Sequence, residues 1–246
     1  MSKFRKISVI IPAHNEETFI GGCLQAIQEA AKSVELKVET IVVLNRCSDR
    51  TENIAEEYRA ICVSDDSRCM SRIRNKGVHA ASGEIIVTCD ADSRLHKNSL
   101  AGILEELSSG RVIGGGMSIS FDRKSVGIYF TEKFFNLMVK MTGLPCGAFW
   151  TTKDAFCAVS GFDERLVMSE DFDFAERLRS YGKTVGKKYV LLKKSCLITS
   201  SRKFDRFGDW SFLKMIFTDA LKIRRSIKGA DTEFVDEYFY DFNDRK

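Results

Sequence analysis

Short apolar runs alternate with segments of helical period through the first half of the chain. Residues 7–11 are apolar but for Ser8 and end at Pro12, the pattern of a buried strand. Residues 19–31 place Ile20, Leu24, Ile27 and Ala31 on one helical face. The runs 38–44, 60–63, 84–89 and 112–113 read as further strands. Between them lie a helix capped by Ser48 and running to Tyr58, and helices over 72–81 and 98–107. This β-α-β alternation predicts an α/β fold with a mainly parallel central sheet flanked by helices. Right-handed crossovers bring the strand ends and their loops to one edge of that sheet.

The rhythm changes after Gly114-Gly115-Gly116. An apolar helix is predicted over 130–141, then a loop over 143–151 containing Pro145, Phe149 and Trp150. A short helix over 154–159, the turn Ser160-Gly161-Phe162-Asp163 and a helix from Ser169 to Tyr181 follow. Strands are predicted over 185–190 and 196–199, and a basic-ended helix over 210–227. With no repeat or low-complexity linker, we expect a single domain over 1–230, divided functionally into 1–115 and 116–230, with an acidic tail over 231–246.

Composition narrows the class. The chain has 246 residues, 44% hydrophobic and 29% charged, enough for a sizeable core. A net charge of +4 favours anionic ligands or a membrane surface and is too small to argue for nucleic acid. The 8 cysteines form no C-x-x-C pair, and several sit in apolar runs. With no leader-like N-terminus and no run long enough to span a bilayer, the expectation is a reduced, cytoplasmic protein. The helix from 210 to 228 carries Trp210, Phe212 and Ile216 beside Lys214, Lys222, Arg224, Arg225 and Lys228. It either caps the core or makes a peripheral membrane contact.

The chemistry begins at Asp90-Ala91-Asp92, which closes the 84–89 run. Two carboxylates at the end of a buried strand are costly without a neutralising partner. Mg²⁺ or Mn²⁺ carrying phosphate oxygens would serve, and ligands of open α/β sheets gather beyond the carboxyl ends of strands. A solvated loop with two Asp is the other reading of this stretch alone. Three further polar loops converge on the same edge: Pro12 to Glu17, Asn45 to Thr51, and Arg72 to Gly77. Arg74 adds a planar donor fork suited to phosphate.

Taken together and in this order, these segments resemble the family 2 glycosyltransferases of the GT-A (Rossmann-like) fold. The resemblance rests on Val9-Ile10-Ile11-Pro12-Ala13-His14-Asn15-Glu16-Glu17, Asn45-Arg46-Cys47-Ser48-Asp49-Arg50-Thr51 and Arg74-Asn75-Lys76-Gly77. It continues through Asp90-Ala91-Asp92, Ser160-Gly161-Phe162-Asp163-Glu164 and Glu170-Asp171-Phe172-Asp173-Phe174. It implies a nucleotide-diphosphate sugar donor, Mn²⁺ or Mg²⁺, and an acceptor bound by the second half. Pro12, Ala13, Asn15 and Glu16 would then line the nucleotide pocket, with Asp49 in the loop that shapes it. Arg74 would approach the phosphates, and Asp90 and Asp92 would form the metal-and-ribose pair, Asp92 being the better metal ligand. Glu170 and Asp171 would form the catalytic acidic pair, with Asp171 the base that removes the acceptor's proton, giving inversion. The acceptor's nature and the oligomeric state are not specified.

Two departures stand out. The family often carries Asp directly before the position of Asn45, where it reads uracil; here that residue is Leu44. Either Asn45 reads the base or the base is not uracil. Some relatives also place a metal-binding His near the C-terminal end, whereas this chain has no His beyond His96. Arg202, in Thr199-Ser200-Ser201-Arg202-Lys203, is the candidate to hold the diphosphate instead. Two competing functions remain: a non-catalytic nucleotide-sugar-binding or scaffolding protein on this fold, and a nucleotidyltransferase. The second typically needs a Gly-rich basic loop after the first strand, where this chain has the acidic Asn15-Glu16-Glu17.

Overall fold

The computed structural model describes residues 3–144, 147–166 and 169–218. Pro145, the predicted helix beyond 218 and the acidic tail lie outside the described residues. The first half follows the sequence pattern closely: β1 Lys6–Ala13, α1 Ile20–Ala31, β2 Lys37–Leu44, α2 Thr51–Glu57, β3 Ile61–Ser64, α3 Met70–Ala80, β4 Ile85–Thr88, β5 Ser93–Leu95 and α4 Ser99–Ser108. There follow β6 Val112–Phe121, α5 Val126–Thr142, β7 Gly147–Thr152, α6 Lys153–Ala158, α7 Glu170–Thr184, β8 Lys188–Thr199, α8 Arg202–Phe207 and α9 Ser211–Thr218.

The strands form one 8-stranded sheet in the order β3-β2-β1-β4-β7-β6-β8-β5. β1 to β4 run parallel, with Ala13 beside Leu44 and Ile10 beside Thr88, so their carboxyl ends share one edge. Alternate β1 residues enter different cores. Val9 and Ile11 pack with Ile20, Leu24 and Ile27 of α1; Ile10 packs with Ile73 and Val78 of α3. Burial on both faces explains why β1 reads as a nearly unbroken apolar run rather than an alternating one.

The structure corrects the sequence reading at several elements, most of them in the second half. The expected loop over 143–151 contains β7, which runs antiparallel between β4 and β6. The expected strand over 112–113 is β6, which continues through the glycine run to Phe121. The two predicted strands over 185–190 and 196–199 are one strand, β8, and β5 and α8 were not predicted. The glycine run has a packing cause. A Cβ on Gly115 would lie 1.9 Å from the Val190 carbonyl oxygen and 2.6 Å from Cζ2 of Trp150. Trp150, fully buried, lies against the bare backbone of β6. Gly115 leaves the space its indole fills, and a Cβ on Gly114 would lie 2.5 Å from the Trp150 carbonyl oxygen.

Candidate active site

The loop after β1 and the loop after β2 are stitched together by side chains. Asn15, at a left-handed φ of 50°, accepts a hydrogen bond from the Ser48 amide through Oδ1 at 2.8 Å. Asp49 accepts from the Glu17 amide at 2.9 Å and from the Thr51 amide at 2.9 Å, while Thr51 Oγ1 accepts from the Glu16 amide at 2.8 Å. Asp49 thus fixes Glu17 directly and Glu16 through Thr51. Pro12 and Ala13 end β1, buried beneath this floor.

Asn45, the candidate base reader, is engaged with backbone. Its Nδ2 donates to the backbone carbonyls of Asp65 and Ser67, at 2.5 and 2.7 Å, and its Oδ1 accepts from Arg46 Nε at 3.2 Å. Both amide hydrogens are used in tying β2 to the loop after β3.

Arg74 and Asn75, adjacent on α3, do separate work. Arg74 Nη1 donates to Glu170 at 2.7 Å, and Nη2 lies 3.4 Å from Asp90. Its guanidinium sits 5.4 Å from the centre of the Phe162 ring. Arg74 Nε is buried without an acceptor among the described residues. Asn75 clamps the turn before α7: Oδ1 accepts from the Phe162 amide at 2.9 Å and Nδ2 donates to the Phe162 carbonyl at 2.9 Å. Gly161 holds φ of 64°, and a Cβ there would lie 2.7 Å from Asn75 Oδ1. Phe162 and Phe174 stack beneath at 4.3 Å.

The acidic residues gather opposite. Glu170 and Asp171 open α7, preceded by Ser169 at a left-handed φ of 64°. Burial, reinforced by the adjacent Glu170 carboxylate, pushes the Asp171 pKa up to about 6, against the pull of Arg74. Burial likewise raises Asp92, with Asp90 adding to the effect and Arg202 opposing it. Arg202 holds Glu16 with both terminal nitrogens, at 2.8 and 2.7 Å, and its Nη2 lies 3.0 Å from Asp92. Its guanidinium also covers the Phe19 ring at 4.8 Å. Lys203, next in the chain, is lowered in pKa by burial while Asp92 acts to raise it.

The structure therefore brings Glu16, Arg74, Asp90, Asp92, Glu170, Asp171 and Arg202 to one edge of the sheet. Phe19, Phe162 and Lys203 were not singled out by the sequence reading. Nothing local distinguishes such a Phe from core, and Lys203 stood out only as Arg202's neighbour. Among the described residues no three His, Cys, Asp or Glu side chains cluster as a metal site. The donor set still fits a hard cation shared with phosphate. Asp90 and Asp92 offer only oxygens, burial penalises the charged form of Asp92, and the orphaned Arg74 Nε suits an anionic oxygen.

An edge built from phosphate-seeking cations and paired carboxylates, on this strand order, defines the GT-A class of nucleotide-sugar transferases. The chain is similar over 90% of its length to a mannosyltransferase from Pyrobaculum calidifontis in complex with GDP-Man and Mn²⁺ (18% identity, 66% of that chain, TM-score 0.65). It is similar over 80% to S. aureus TarS 1–349 in complex with UDP-GlcNAc (18% identity, 59% of that chain, TM-score 0.62). By sequence it is 29% identical over 144 residues to the glycosyltransferase AglE of Haloferax volcanii, covering 54% of this chain and 46% of that protein. The chain thus spans about half the length of that curated relative. The model of glycosyl transferase family 2 matches residues 8–167, and the chain belongs to that family.

Proposed function

We propose that the chain transfers a sugar from a nucleotide-diphosphate donor to an acceptor hydroxyl with inversion at the anomeric carbon. Residues 1–115 would hold the donor and 116–230 the acceptor. The observation that carries this reading is the Arg74 bridge, which ties Asp90 on the donor side to Glu170 beside the candidate base.

In this reading the acceptor oxygen attacks the anomeric carbon as the bond to the diphosphate breaks. Asp171 takes the hydroxyl proton, and the bonding electron pair leaves with the diphosphate. A carboxylate with a pKa of about 6 is ionised at neutral pH yet basic enough to share a proton in flight. Glu170 positions Arg74 rather than accepting the proton. Arg74, Arg202 and Lys203 supply fixed positive charge for the leaving diphosphate. Mn²⁺ or Mg²⁺ held by Asp90 and Asp92 would add Lewis-acid neutralisation of the same oxygens. The Mn²⁺-bound mannosyltransferase neighbour supports this assignment. With Leu44 apolar and the Asn45 amide engaged, base recognition falls to other groups, and the donor nucleotide is left to a binding panel.

The test is a thermal-shift and turnover screen of nucleotide sugars with and without Mn²⁺. A donor that binds and is consumed only when Asp171 is intact supports the reading. A donor that binds but is never transferred or hydrolysed points instead to a non-catalytic binder.

A further inference from the structure

The helix α5 carries an apolar face turned to solvent. Val126, Phe130, Leu137 and Met141, spaced by four, seven and four residues, are 67%, 50%, 53% and 73% exposed. That spacing puts them on one side of the helix, along about 22 Å of its length. The opposite side is anchored: Ile128 and Thr131 are fully buried. Trp210, 46% exposed, stacks on Phe130 at 5.9 Å, and Phe207, 43% exposed, lies at the end of α8. Exposed apolar residues this close together exceed the scattered exposure ordinary for a soluble surface.

Cations flank the rings of this face. Lys133 lies 5.3 Å from the Tyr129 ring, and Arg206 lies 5.5 Å from the Phe207 ring. The acids nearby are paired, Asp205 with its side chain 57% exposed. Glu132, the one acid in the α5 sequence, accepts from Ser120, the Phe121 amide and Lys124. Asp205 and Asp209 are gathered by Arg123 at 2.8 and 2.5 Å.

We propose that the exposed face of α5, with Trp210 and Phe207, is a docking surface for an anionic bilayer. Apolar anchors, amphipathic rings and flanking cations are what an interfacial helix presents to lipid headgroups. Lys133 decides against a second copy as the occupant. It sits within the apolar stripe, where a dimer would bury it, whereas at a bilayer its ammonium reaches up to the phosphates. Of the segment 210–228 expected to make such a contact, Trp210 joins the α5 face, Phe212 packs on Phe135 of α5 at 4.7 Å, and 219–228 lie outside the described residues. The six residues of α8 run from Arg202 at the site to Phe207, three residues before Trp210, so docking through Trp210 holds the site near the membrane.

The test is co-sedimentation of the full chain with phosphatidylcholine vesicles, with and without phosphatidylglycerol, alongside Trp emission. The chain has 2 Trp, and Trp150 is fully buried, so a blue shift on binding reads Trp210. Binding to the anionic vesicles with a Trp210 blue shift is expected. Joint Leu137→Glu and Met141→Glu substitution should weaken partitioning about tenfold or more. Both positions are exposed, and circular dichroism checks that the fold persists; should it not, the emission of the unsubstituted protein alone decides. No binding to anionic vesicles, no Trp210 shift, undiminished binding by a folded double variant, or a dimer lost on the same substitutions would each overturn the proposal.

Discussion

Arg202 and Glu16, 186 residues apart in sequence, face each other through two parallel hydrogen bonds of 2.8 and 2.7 Å. The same guanidinium lies 3.0 Å from Asp92. A cation from the far end of the chain thus neutralises the acids expected to handle the donor. Arg is suited to this because its planar fork matches a carboxylate and binds phosphate equally well.

Arg202→Ala should leave Glu16 and Asp92 without that cation. An expected loss of about 1–3 kcal/mol would be read from urea denaturation. Added Mn²⁺ should restore more stability to the variant than to the parent, because it answers the same unmet charge. Equal Mn²⁺ response in both proteins would count against a shared cation site.

Asp171 makes stability and activity move in opposite directions with pH. Its folded pKa is raised to about 6 from an ordinary 3.8. A raised carboxylate pKa contributes stability below the unfolded value, and this contribution is lost as pH rises through about 6. Asp171→Asn should therefore raise Tm at pH 7 and leave it nearly unchanged at pH 3. Activity should rise with pH through the same range and vanish in the variant while donor binding persists. A variant that turns over normally would remove Asp171 from the base role.

Asn75→Ala should cost about 2–3 kcal/mol, since it strands the Phe162 amide and carbonyl that the side chain now satisfies. Loosening that turn also frees the start of α7, so kcat should fall more than donor affinity. Chemical denaturation and steady-state kinetics check the two parts separately. A fall in donor affinity alone would place Asn75 in the pocket instead.

Asp92→Ala should abolish the Mn²⁺ enhancement of nucleotide binding, measured by calorimetry. Asp90→Ala should weaken it less, because Asp90 is the more exposed of the two, at 56% against 16% for its side chain. Unchanged metal-assisted affinity in the Asp92 variant would refute the assignment.

What could be read from the sequence was local. The runs that became β1, β2 and β4 are doubly buried, so their apolar character survives without context. The loops holding Asn15, Asp49 and Asp92 stood out by order and composition, as did Arg72 to Gly77, which the structure places within α3 rather than in a loop. β6 and β7 did not, because glycines are punctuation by local rules, and Gly114 and Gly115 acquire their meaning only from Trp150 on the neighbouring strand. The pairings were equally hidden. Arg74 reaches Glu170 across 96 residues, and no spacing rule states which acid an arginine will meet. Asn45 is similar: its position makes it a candidate base reader, and only the fold reveals that its Nδ2 donates to two backbone carbonyls.

The place of β7 sets what kind of motion the molecule can use. It hydrogen-bonds to β4 on one side and β6 on the other, with Trp150 opposite Val87 and Gly115. The sheet is therefore continuous across the division near residue 115, and a hinge there would have to tear a ladder in the middle of the core. Any opening of the site would fall instead to the segments that border it. Among these, α8 is seated by Phe204, buried against Phe121 at 4.8 Å, and tied to the site by Arg202 and Lys203, so moving it would have to break an apolar seat and an ion-pair network together.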